Sequence, residues 1–122
     1  MSEFIKFINT KNVAIKDDRS FGGEIVILPL KPDANIDEVI PLVVSDLIKF
    51  LNQSTGKMYS KYPIAFSGGF RIAEAGRSSY GLKVLSVSNR IVIQPTSLLE
   101  SLEFLRRYVQ RIRKMGATEP DQ

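Results

Sequence analysis

The chain has 122 residues, with 17 Lys and Arg against 13 Asp and Glu, a net charge of +4, and no Cys, His or Trp. That length makes one domain the expectation, and 43% apolar residues are enough to fill a core. Without Cys or His there is no disulfide, thiolate metal site, cysteine nucleophile, imidazole base or Ser-His-Asp triad, so the common catalytic devices are excluded.

In chain order, Phe4, Ile5, Phe7 and Ile8 form an apolar first segment and Asn9–Asn12 a turn. Val13–Ile15 reads as a strand, Asp17–Ser20 as a loop closed by Phe21-Gly-Gly, and Glu24–Leu30 as a β-branched strand with Pro29 at its end or on an edge. Lys31–Asn35 is a turn. Asn35 followed by Glu38 has capping-box spacing. Pro41 predicts either a kink or a short turn followed by a helix from Pro41 to about Gln53. Val44, Leu47, Ile48 and Leu51 form one helical stripe, and Gly56 is a stop signal.

The second half predicts strands over Met58–Phe66, Phe70–Ala75, Leu82–Val87 and Arg90–Gln94. Ser67–Gly69, Gly76–Gly81 and Ser88-Asn89 are read as their connections. Period-two alternation in the last two strands predicts a sheet with one face on a core and one partly open. Thr96 or Ser97 caps a second helix whose stripe is Leu98, Leu102, Leu105, Val109 and Ile112; Gly116 ends it. Strands in runs, each run followed by one helix, predict an α+β fold: a curved antiparallel sheet or sheets with two helices, one domain over 1–115. The halves 1–56 and 57–115 read as two divergent repeats, strand-strand-strand-helix and strand-strand-strand-strand-helix, and 116–122 as a disordered tail.

No segment reads as a membrane span or targeting signal. Glu3 and Lys6 interrupt the N-terminal segment, and the longest apolar run, Ile25–Leu30, is far short of the roughly 20 residues a spanning helix needs. A cytoplasmic protein with no membrane partner is the expectation, and the absence of Cys agrees with a reducing compartment.

Charge is unevenly distributed. Residues 1–56 carry six basic and eight acidic side chains, whereas 57–115 carry eleven basic and three acidic ones. A strongly basic half indicates a polyanionic partner. Catalytic chemistry is not indicated. The glycine pairs match no phosphate loop and read as hairpin turns, while Asp17-Asp18 and Ser78-Ser79 read as solvated turns. No carboxylate pair has acid–base spacing, so no catalytic residue, cofactor or metal site is assigned.

Two groups of cations stand out. On the last helix, Arg107, Arg111 and Lys114 share a face with i, i+4, i+7 spacing. They could hold phosphates or simply complement the helix dipole. On the strands, Lys57, Lys61, Arg71, Arg77, Tyr80, Lys83 and Arg90 interleave cations with an aromatic ring, as single-stranded nucleic acid binding requires. If Ile72 faces the core then Phe70 does too, and Arg71 faces out.

The stretch Gly69-Phe-Arg-Ile-Ala-Glu-Ala-Gly-Arg, then Gly81-Leu-Lys-Val, then Arg90-Ile-Val-Ile-Gln and the long helix resembles a Pur-alpha-type repeat, four antiparallel strands and one helix. Coactivators of the positive-cofactor-four type and plant Whirly proteins are similar in that order of elements. The resemblance covers residues 58–115. It implies a sheet that binds single-stranded DNA or RNA, with helices building a dimer or an intramolecular pair, and it carries over to Arg71, Lys83 and Arg90. The chain departs from it in the first half, which has no basic-aromatic motif and has Pro41 in its helix, and in lacking a Whirly-type Lys-Gly-Lys motif.

The function expected from the sequence is therefore non-enzymatic binding of single-stranded DNA or RNA with little sequence preference. The alternative is an assembly module, of a kind viruses and phages encode, that docks an acidic partner protein. A homodimer is also expected, because Leu99, Phe104, Tyr108 and Met115 broaden the apolar stripe of the second helix beyond what one small sheet covers.

Overall fold

The computed structural model describes residues 13–18, 24–29, 35–74, 77–87, 90–95 and 99–114, with side chains for 35–74, 81–87, 90–95, 103–111 and 114. The elements run β1 (Val13–Asp18), β2 (Glu24–Pro29), α1 (Ile36–Thr55), β3 (Tyr59–Pro63), β4 (Phe70–Glu74), β5 (Arg77–Val87), β6 (Arg90–Pro95) and α2 (Leu99–Lys114). The fold is α+β, as the sequence pattern indicated. The segment 4–8, the connection 19–23, the capping positions of α2 and the tail 116–122 lie outside the described residues.

All six strands join one sheet in the order β1-β2-β6-β5-β4-β3, and every neighbouring pair is antiparallel. Strands β3 to β6 form a meander. The β1–β2 hairpin is added beside its last strand through Ile25↔Ile93, Val26↔Val92 and Ile27↔Ile91. Because β2 pairs with β6, both halves of the chain share one sheet, and this arrangement does not confirm two repeats. Pro29 is tolerated in β2 because it is the last residue of the strand and lies past the β2–β6 pairing.

Helix α1 runs without interruption from Ile36 to Thr55 with Pro41 inside it. Asn35 caps it, its Oδ1 accepting from the Asp37 N–H at 3.0 Å. Proline at position 41 removes one N–H that would otherwise bond the Asp37 carbonyl, near an end where backbone groups are already incompletely paired. Buried Ile36, Val39, Ile40, Val43 and Val44 lie on both sides of it, so core packing holds the turn that proline weakens. At the other end Asn52 Oδ1 accepts from the Tyr59 N–H at 2.8 Å, tying the helix to the first residue of β3.

Gly56 closes α1 with φ 71°, its N–H bonding the Asn52 carbonyl at 3.0 Å. A Cβ there would meet nothing within 4 Å, so Gly56→Ala incurs only the left-handed backbone cost, about 1 kcal/mol. Urea unfolding is expected to show a lower midpoint with an unchanged slope; a midpoint equal to wild type would show that this cap is not rigid.

Both helices cover the same face of the sheet and touch each other, with α1 over β3 to β6 and α2 over β2, β5 and β6. Between them lie Leu47, Leu51, Ile72, Leu82, Val84, Ile91, Ile93, Leu105, Tyr108 and Val109, all nearly or wholly buried. Apolar burial of this kind is the main term holding such a fold together, at about 25 cal/mol per Å².

Strand β5 begins at Arg77, although Gly76–Gly81 reads as a loop from its composition. Between the pairs Ile72↔Leu82 and Glu74↔Arg77, β4 has one residue and β5 has four, Ser78 to Gly81. The strand absorbs the surplus in a bulge. Gly81 makes it feasible: its φ is 129°, and a Cβ would run into the Ile72 carbonyl.

Candidate nucleic-acid interface

Alternation along the strands fixes which side chains lie opposite the helices. Ile72, Leu82, Val84, Ile91 and Ile93 point to the helices. Phe70 packs against the same core, so Arg71 turns to the other face, as the sequence argument required. On that face the register places Tyr62 beside Arg71, Arg71 beside Lys83, and Lys83 beside Gln94. The four positions lie in one row across β3, β4, β5 and β6, spanning about 14 Å at the usual strand spacing. Tyr62 is well exposed, and Arg71, Lys83 and Gln94 are half-buried. Arg90, at the start of β6, belongs to this face through its alternation with Ile91 and is exposed.

Two cations matched directly across an antiparallel pair repel each other, a modest cost to the sheet. Beside them, Leu85 and Val92 are register partners on the same face, and Val87 is exposed. The face is thus cationic with apolar ground between the charges, and Tyr62 adds a ring. The acidic pair Asp18 and Glu24 is matched in register on β1 and β2. The cationic part of the sheet is therefore the part built by β4, β5 and β6.

The remaining residues singled out from the sequence do not all gather there. Lys61 alternates with Tyr62 and so belongs to the helix side of edge strand β3. It is matched with Ile72, and its Nζ stands 5.7 Å from the Phe70 ring centre. Lys57 lies between α1 and β3, 3.9 Å from the Glu74 carboxylate. Arg77 and Tyr80 are in β5, but their side chains lie outside the described set. Arg107 and Lys114 are exposed on α2, on the far side of the molecule from Arg71 and Lys83; Arg107 faces Glu103 at 4.0 Å. The strand cations and the helix cations therefore form two separate surfaces.

Arg111 has a different role. Its Nη1 is 3.4 Å from Asp46 Oδ2, and its guanidinium lies 5.5 Å from the Phe50 ring centre and 6.0 Å from that of Tyr108. The Tyr108 hydroxyl donates to the same Asp46 oxygen at 2.6 Å. Burial raises the Tyr108 hydroxyl well above its ordinary value, the charge and hydrogen bond of Asp46 add to that, and Arg111 opposes it. This cluster joins α1 to α2. It gives Arg111 a structural role between the helices.

Phe104 is 9% exposed and Tyr108 wholly buried, both within the single chain. Of the apolar surplus of α2 that led to the expectation of a dimer, Tyr108 packs against α1, its ring 5.5 Å from that of Phe50, and Phe104 is buried; Met115 and the Leu99 side chain lie outside the described set. Tyr62 and Gln94 were not singled out from the sequence, and Phe66, at the end of a predicted strand, is fully exposed. Tyr59 and Tyr62 have the same composition signal, and only the register with β4 separates the buried one from the exposed one.

Comparison with family models, curated proteins and solved structures finds no match to this chain. No described helix is long and apolar enough to cross a membrane.

Proposed function

We propose that the protein binds single-stranded nucleic acid, DNA or RNA, without catalysis and with little sequence preference, through the sheet face opposite the helices. The observation that carries this reading is the row Tyr62–Arg71–Lys83–Gln94, with two directly opposed cations, an aromatic ring at one end and Arg90 on the same face. Cations there neutralise phosphates, and rings accept base faces without regard to sequence. Docking of an acidic partner protein through α2 has less support: Arg106, Arg107, Gln110 and Lys114 are exposed, but Phe104, Leu105, Tyr108 and Val109 of that helix are buried. A cytoplasmic setting suits the proposal. Homodimerisation forms no part of it, since Phe104 and Tyr108, two of the four residues that suggested it, are buried within the chain.

Fluorescence anisotropy with labelled single-stranded DNA, single-stranded RNA and duplex of equal length tests it. Both single strands are expected to bind more tightly than duplex, and affinity is expected to fall steeply between 50 and 200 mM salt. No binding at low salt, or equal binding to heparin, would overturn the reading.

A further inference from the structure

The connection between β3 and β4 contains a backbone outlier. Phe66 has φ 64° and is the one non-glycine residue with positive φ among those described. A bulky side chain in that region is strained, and glycine or asparagine is the ordinary occupant. Phe66 is also fully exposed, at 109% of its reference area. It therefore incurs backbone strain and exposes a ring to water, with no contact among the described residues to offset either. Strain of this kind persists where the surroundings impose it, and it concentrates at sites that act on something outside the fold.

The surroundings do impose it. The Ile64 N–H bonds the Gly69 carbonyl at 2.9 Å, and the Ser67 N–H bonds the Ile64 carbonyl at 3.4 Å. Ser67 Oγ accepts from the Gly69 N–H at 3.1 Å and donates to the Ile64 carbonyl at 3.3 Å. Gly69 lies so close to β5 that a Cβ would press on the Val84 carbonyl and on Leu85 Cδ2. The turn is thus hydrogen-bonded within itself and seated against Leu85, a residue of the cationic face. It also sits at the same end of the sheet as the β5–β6 connection, where Val87 and Arg90 are exposed.

We infer that Phe66 is a nucleobase-stacking contact, held out at the tip of the β3–β4 hairpin for a base of the strand whose phosphates lie over Arg71, Lys83 and Arg90. The inference rests on the reading of that face as a nucleic-acid surface. Charge complementarity selects the occupant: Arg71 is the second residue of the strand leaving this turn, so a polyanion held there passes the ring. Bases in a duplex are already stacked on each other, whereas an unpaired base has a free face for the ring. The contact gives this surface a preference for single strands that phosphate neutralisation alone does not supply.

Two labelled oligonucleotides of equal length separate the possibilities, one of thymidines and one abasic throughout, which keeps the phosphates and lacks the bases. Phe66→Ala is expected to weaken binding to the thymidine oligonucleotide about tenfold and to leave abasic binding unchanged. Phe66→Trp is expected to restore it. The thermal midpoint of Phe66→Gly is expected to equal or exceed that of wild type, since strain is relieved and no packing is lost. Equal loss on both oligonucleotides, loss on neither, or a marked fall in thermal midpoint for Phe66→Gly would overturn the inference while wild-type binding stands. Wild-type protein that binds neither oligonucleotide would overturn the nucleic-acid reading itself.

Discussion

Asp46→Ala is expected to lower the thermal midpoint by roughly 10 °C. Asp46 is 7% exposed and receives the Tyr108 hydroxyl at 2.6 Å and Arg111 at 3.4 Å. Removing it leaves a buried hydroxyl without this acceptor and takes the carboxylate from a half-buried guanidinium. Losses of that kind cost about 3 kcal/mol. Asp46→Asn keeps an acceptor for the hydroxyl and is expected to lose less than half as much. Differential scanning calorimetry of the two variants checks the order. A fall of only a degree or two for Asp46→Ala would mean that the two helices are held by apolar contacts alone.

The same cluster sets an alkaline limit. The Tyr108 hydroxyl ionises less readily in the folded protein than in the unfolded chain, chiefly through burial and then through Asp46. Its contribution is fully present below the unfolded value of 10.0 and is lost as pH rises above it, because the unfolded chain releases that proton while the folded one retains it. Tyr108→Phe is expected to be less stable near neutrality and to lose less of its remaining stability between pH 9.5 and 11.5. If the alkaline fall is as steep in Tyr108→Phe as in wild type, another group governs it.

None of this cluster stands out in the sequence. Asp46 is an ordinary polar residue between the stripe positions Val44 and Leu47, and its partner lies 62 residues away. What a chain announces locally is its period and its punctuation. The stripe of α1, Leu105 and Val109 of the α2 stripe, the Gly56 stop, and the alternation that turns Arg71 away from the core were all legible for that reason. Long-range pairing was not: nothing in Glu24–Pro29 indicates that it lies beside β6, and nothing in Tyr59–Pro63 indicates which of its two tyrosines is buried. One local signal also misled. Arg77–Gly81 has loop composition, yet register with β4 draws it into β5 around a bulge. Pro41 left a kink and a helix starting there both open; the helix already begins at Ile36, because the buried residues flanking the proline outweigh one lost hydrogen bond.

The largest functional effect is expected at the paired cations. Arg71→Glu with Lys83→Glu places two negative charges where two positive ones are opposed in register. Single-stranded DNA binding is expected to fall by about a hundredfold or more at low salt, as two attractive phosphate contacts become repulsive. The neutral double variant, Arg71→Ala with Lys83→Ala, is the cleaner measurement. If each residue neutralises one phosphate, the slope of log affinity against log salt should become shallower by about 1.4, from about 0.7 per contact on a single strand. Arg106→Ala is the control. It removes an exposed cation from α2, on the opposite side of the molecule, at the same cost in net charge as either single sheet variant. Long-range attraction alone would make Arg106→Ala and Arg71→Ala equivalent and would leave the slope change shared between them. Site-bound phosphates predict a shallower slope for the sheet variants only. An unchanged slope in the double alanine variant, with its fold intact by circular dichroism, would show that the open face of the sheet is not where the strand lies.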